Sequence, residues 1–321
     1  MERLVEWLLS ADPWVELVAR RDLLGEEPAP TLRDRVAADP RIGALLDGLA
    51  PWPPVVPVKG AVDQRTPVAR LGVLADFGLD RTDSRIAALA EAALSSIAPD
   101  GTFPHGGFEH TRTYDARGYV CLTHGVTEAL ARFGYADDPR LEPAVAHLRR
   151  TRRLDGGWRP STAMAPGTRR EAEPSCPFGT VGILRAAIAV GGEVAREVAP
   201  GAGAFLLEAW SRRAEPWRPV GFGMGTTFGR LAYPFGTYGI LRVIDTLTEV
   251  ASLRGDPRLL EMLAAVEALG GPDGWRAGSV SAAWADFDFG QKRGPSAWIT
   301  LLVLRARRRL DVPDGRAAAS A

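Results

Sequence analysis

The sequence predicts an all-α protein of about six helical hairpins closed into one ring. Three observations carry that expectation. Glycines end a helix at a fixed period, aromatic residues mark a turn at the same period, and one set of helices is apolar on nearly every face.

The glycine register is Asp22-Leu23-Leu24-Gly25, Leu74-Ala75-Asp76-Phe77-Gly78, Leu130-Ala131-Arg132-Phe133-Gly134 and Ile188-Ala189-Val190-Gly191, recurring every 53 to 57 residues. Each glycine stands where a helix C-cap wants a left-handed residue. The aromatic register is Trp52, Phe103, Trp158, Trp217 and Trp275. Asp100-Gly101, Asp155-Gly156 and Asp273-Gly274 precede three of them, as a tight turn requires. Two registers with one period indicate an internal repeat.

The apolar helices are expected at 13–24, 66–78, 119–133, 178–190, 235–250 and 296–309. A helix apolar on most faces is an inner, buried one. Helices with charge on one face are expected between them, at 32–49, 85–97, 141–150, 204–212 and 257–269. No period-2 alternation suggests strands. One hairpin cannot bury both faces of its inner helix, whereas stacked neighbours can. An open stack needs a polar last repeat; 296–309 is as apolar as the internal ones, so the stack should close. Residues 1–310 are expected as one domain and 311–321 as a disordered tail. The central cavity of such a ring would hold a ligand.

The turns Asp155-Gly156-Gly157-Trp158 and Pro272-Asp273-Gly274-Trp275 resemble the repeats of squalene-hopene cyclases and protein prenyltransferase β subunits. That resemblance covers about residues 66–310 and implies an (α/α)6 toroid of the squalene cyclase/prenyltransferase kind. It also implies a terpene-cyclase-like activity, an isomerase or lyase on an apolar, isoprenoid-derived substrate. The cyclases carry an Asp-x-Asp-Asp acid motif at the start of an inner helix. The matching stretch here, Trp284 to Ser296, offers Asp286 and Asp288 but lacks the adjacent second aspartate. The zinc ligand pattern of the prenyltransferases does not transfer either, because Asp115 and Cys121 are too far apart.

Composition narrows the alternatives. Lysine plus arginine equals aspartate plus glutamate at 39 each, so no net field draws the chain to nucleic acid. The basic residues are nearly all arginine, which with the abundant alanine reads as a high-GC, bacterial genome. Two cysteines make no disulfide framework, and the N-terminus lacks a secretory apolar core, so a cytoplasmic protein is expected. No stretch reaches the ~20 apolar residues of a membrane span. Oligomeric state is not legible.

In a repeat protein, polar residues confined to one unit are the functional candidates. Arg185 and Arg242 recur on the inner helices, so they are expected in structural ion pairs to an outer helix. The first unit-specific cluster runs from Pro104 to Arg117, followed by Cys121 and His124. It suits zinc through three protein ligands, but its spacing matches no zinc motif. The expectation is no metal and no cofactor, with His105 and Asp115 in acid–base roles and Tyr114 at the substrate. The second cluster is Asp286 to Lys292. An acid in an aromatic, poorly hydrated pocket has its pKa raised and serves as a general acid. Asp286 or Asp288 is expected in that role, unless either merely caps the following helix. Phe178, Tyr233, Phe235, Tyr238, Trp284 and Trp298 are expected to shape the pocket, with Lys292 beside it. A glycine-rich run at 221–230 follows no strand and reads as a loop rather than a phosphate site.

Overall fold

The computed structural model describes residues 2–54, 64–104, 120–159, 173–216, 227–234 and 238–311. The described residues are helical, with one isolated bridge between Gly271 and Gly274 and no strand. The helices are α1 (Glu2–Leu9), α2 (Pro13–Ala19, continued by a π turn Arg20–Leu24), α3 (Pro30–Ala37), α4 (Pro40–Asp47), α5 (Pro67–Asp76), α6 (Ser84–Leu94) and α7 (Val120–Leu130). There follow α8 (Glu142–Arg150), α9 (Pro177–Val190), α10 (Gly192–Ser211), α11 (Ile240–Leu247), α12 (Pro257–Glu267) and α13 (Ala297–Asp311). The all-α class and the alternation of buried and half-buried helices are as expected from the sequence.

The chain divides into two compact units, one of Met1–Pro28, Thr226–Tyr233 and Gly239–Ala321, the other of Ala29–Gly225 and Pro234–Tyr238. In the second unit the inner helices pack in chain order, α5 on α7 and α7 on α9, with α10 against α9. In the first unit the last inner helix, α13, packs on both α11 and α2. Within this unit the last repeat therefore lies beside the first.

The repeated marks have physical causes. Gly25, Gly78, Gly134 and Gly191 have φ of +71°, +84°, +98° and +77°, the region that stops a helix and that side chains with a Cβ avoid. The Asp-Gly turns repeat the device, and a Cβ on Gly156 would also meet the Gly201 carbonyl oxygen at 2.7 Å. Each turn then hangs on the next inner helix. The N–H groups of Phe103, Trp158 and Trp275 donate to Thr123, Thr180 and Thr300 hydroxyls at 3.4, 3.1 and 3.0 Å. The indole N–H groups of Trp158 and Trp275 cap outer helices, donating to Leu148 O at 2.8 Å and Val266 O at 2.9 Å.

A third register starts the outer helices. Asp39, Asp83, Asp138 and Asp256 each accept from the N–H two residues on, at 2.8 to 2.9 Å, and that residue is always arginine. The expected outer helix 32–49 is broken by this device, because Pro40 has no N–H to continue α3 and Asp39 caps α4 instead. The expected helix 204–212 is the end of a much longer α10, which carries Pro200 inside it. Its packing on α9 outweighs the proline and glycines of its first half.

Buried ion pairs join neighbouring inner helices. In the second unit Arg185 of α9 donates to Glu128 of α7 at 2.8 Å and to Asp76 of α5 at 3.2 Å, and Arg132 pairs with the same two carboxylates. In the first unit Arg305 of α13 donates to Asp245 of α11 at 2.8 to 3.0 Å and to Asp22 of α2 at 2.9 Å. The ion pair expected of Arg185 exists, but its partners lie on inner helices, not on an outer one.

Candidate functional site

Residues 284–298 of the first unit build the site. A short turn at Ala282–Trp284 and another at Asp288–Gly290 lead to the N-terminus of α13. Ser296 begins α13. Its N–H donates to Trp275 O at 2.8 Å, and its hydroxyl oxygen accepts from Ile299 N at 3.1 Å. This places Ser296 and the first free N–H groups of α13 opposite the Asp288 carboxyl.

The two Asp288 oxygens are in different situations. Oδ2 accepts from the Ser296 hydroxyl at 2.8 Å and from Trp298 N at 3.0 Å. Oδ1 is buried and, among the described residues, has no hydrogen-bond partner. Burial pushes the Asp288 carboxyl above the ordinary carboxylate range; Trp298 N and Ser296 pull it back, and the charge of Asp12 adds to the rise. A neutral carboxyl must place its proton on one oxygen. Because Oδ2 already accepts two hydrogens, that oxygen is Oδ1.

Aromatic rings crowd the turn that carries Asp288. Phe287 stacks on Phe289 at 5.2 Å, and Trp284 lies 5.6 and 6.0 Å from those two rings. Tyr233 meets Phe289 edge-on at 4.7 Å and Trp298 at 5.4 Å. Trp14 of α2, fully buried, completes the cluster at 5.6 Å from Phe287.

Of the expected site residues, Asp288, Tyr233, Trp284 and Trp298 come together here. Asp286 and Lys292 are exposed on the same segment. Of the two aspartates the sequence left open, Asp288 is the one with a buried carboxyl oxygen. Phe178 and Tyr238 belong to the second unit, where they meet edge-on at 6.4 Å. His105, Tyr114, Asp115 and Phe235 lie outside the described residues. His124 is buried on α7, where Gly182 of α9 makes room for it: a Cβ there would stand 2.0 Å from its ring. Among the described residues no three His, Cys, Asp or Glu side chains gather as metal ligands would. No described helix is long and apolar enough to cross a membrane.

Sequence reasoning missed Trp14, Asp12 and the role of Ser296. The signal for Ser296 was its place at the start of an inner helix, where the cyclases carry their acid. No family model matches the chain, and no curated protein does. Among solved structures the chain is similar to an unsaturated glucuronyl hydrolase variant (UGL) with the saccharide dGlcA-Glc-Rha-Glc. The identity is 14%, the TM-score 0.49, and the match covers 93% of this chain and 84% of that one. A likeness at that level says nothing about the chemistry of the site.

Proposed function

We propose that the protein is a general-acid enzyme of the terpene-cyclase kind, acting on an apolar, isoprenoid-derived substrate. One observation carries this reading: Asp288, on a turn flanked by aromatic rings, has a buried oxygen with no hydrogen-bond partner among the described residues, and burial favours its protonated form. The proton on Oδ1 passes to an alkene carbon, and the π pair forms the new C–H bond. Asp288 is left as carboxylate, its charge held by Ser296 and Trp298 N, and the adjacent substrate carbon is left cationic. Aromatic faces stabilise a cation within about 6 Å. The cation is discharged by losing a proton or by adding water, and Asp288 is reprotonated from solvent. The reading calls for no metal or organic cofactor and keeps His105 and Asp115 as secondary polar contributors. A cytoplasmic setting goes with it, supported by a chain of only two cysteines.

The test is incubation with squalene and with geranylgeraniol in deuterium oxide. Wild-type protein should yield product carrying deuterium on carbon. Asp288→Asn should yield none while unfolding at the wild-type temperature, since its amide oxygen still accepts from Ser296 and Trp298 N. Turnover by that variant, or none by the wild type, overturns the reading.

One feature favours a second reading, a ligand- or protein-binding toroid without catalysis. Oδ2 of Asp288 makes the bonds of a helix cap. Saturable binding of the same two probes with no deuterium incorporation would establish that reading in place of the first.

A further inference from the structure

The first residue of the inner helices shows what is architectural at this site. Thr66, Cys176 and Ser296 each precede an inner helix, and each side chain accepts from the N–H three residues on, at 3.3, 3.5 and 3.1 Å. Cys176 and Ser296 match further. Their N–H groups donate to Trp158 O and Trp275 O at 2.7 and 2.8 Å, and their carbonyls accept from Thr180 N and Thr300 N at 2.9 Å each. Capping is therefore shared by these three residues. Ser296 in addition donates to a carboxylate, through the 2.8 Å bond to Asp288 Oδ2.

We infer that Ser296 is a positioning residue for the acid: its hydroxyl fixes Oδ2 as an acceptor, so the proton is held on Oδ1 and leaves from there. Ser296 is fully buried, and its oxygen is already engaged by Ile299 N, so its hydrogen is left to point at Asp288. The bond strengthens as Asp288 becomes anionic, which lowers the cost of giving the proton up. The other charge acting on the carboxyl is Asp12, before α2, which works in the opposite direction.

This inference rests on the general-acid reading, and its test separates the two. Ser296→Cys keeps the cap that Cys176 supplies in its own repeat, but a thiol is a weak donor. Carboxyl carbon-13 NMR, with Asp288 assigned through Asp288→Asn, follows the titration directly. In Ser296→Cys the Asp288 midpoint should move to higher pH, since a hydrogen bond to the charged form is lost. With squalene or geranylgeraniol, kcat should fall on the order of tenfold at unchanged KM. The pH above which kcat declines should rise with the midpoint. Ser296→Ala should do the same if the cysteine variant fails to fold. A raised wild-type midpoint that neither variant moves overturns this inference and leaves the general acid standing. An Asp288 that titrates in the ordinary carboxylate range in wild-type protein overturns both.

Discussion

Replacing Arg305 by alanine tests the packing of the last repeat on the first. The guanidinium is almost wholly buried and makes three hydrogen bonds to Asp245, itself fully buried, and one to Asp22. Breaking such a pair from one side strands the partner charge, at a typical cost of about 3–5 kcal/mol. Two residual contacts moderate the loss. Arg309 remains 3.1 Å from Asp245, and Arg21 remains 2.6 Å from Asp22. The lower end, about 3 kcal/mol, is therefore expected, which for a chain of this length is about 4–5 °C in Tm.

The pH dependence sharpens the test. Burial alone would raise the Asp22 carboxyl, but the Arg21 hydrogen bonds and the charges of Arg305 and Arg21 overcome it and hold it below the ordinary range. A carboxyl depressed in the folded state gives stability that is present above about pH 4 and lost as pH falls. Alanine at 305 removes part of that depression. The gap between wild type and variant, measured by urea unfolding, should be full at pH 7 and narrow below about pH 4. A loss under about 1 kcal/mol, the scale of a surface pair, would refute the claim that Arg305 holds this seam. So would a gap that widens in acid.

Two further outcomes follow from the repeat. Thr300→Val keeps side-chain shape but leaves Trp275 N–H buried without its acceptor, so it should cost about 1–3 kcal/mol in urea unfolding; Thr180→Val should match it through Trp158, and a neutral result in both would show that the threonines do not hold the turns. His147 is buried on α8 with Nε2 unpartnered among the described residues; burial lowers its pKa, outweighing the hydrogen bond to Asp100 O, and Arg150 adds to the lowering. Its stabilising contribution is then whole above about pH 6.5 and lost as pH falls further, so His147→Gln should flatten the stability–pH slope between about pH 5 and 7, and an unchanged slope would exclude it as the cause.

What the sequence revealed is what the backbone dictates locally. A positive φ calls for glycine, so Gly25, Gly78, Gly134 and Gly191 announced four helix ends. A tight turn calls for Asp-Gly, so Asp155-Gly156 and Asp273-Gly274 announced the aromatic turns. The Asp-x-Arg starts at Asp39, Asp83, Asp138 and Asp256 were equally local, but they resemble ordinary surface charge and only the shared cap bond shows their meaning. The first half of α10 was illegible for the opposite reason. Its glycines and Pro200 argue against helix, and contact with α9 decides otherwise. Asp288 stood out because it lies between Phe287 and Phe289 just before an inner helix. Trp14 could not be placed beside Phe287, because the two lie at opposite ends of the chain and meet only in the folded first unit.

The repeat also supplies the means of telling structure from function. The described positions before inner helices are Asp12, Thr66, Cys176, Gly239 and Ser296. Thr66 and Cys176 cap there, as Ser296 does, so that much is architecture. Ser296 caps and also donates to Asp288. Asp12 forms no side-chain cap bond at all, and its charge bears instead on Asp288. Asp288 itself belongs to neither register. The Ser296 hydroxyl and the Asp12 charge thus act on a single carboxyl, one from each end of the chain. Packing needs alone would let Asp12 cap α2 as Thr66 caps α5, and would let a nonpolar residue replace an aspartate whose second oxygen is buried without a partner. The convergence of these two side chains on Asp288, together with its burial, is what supports the proposal that Asp288 is the acid.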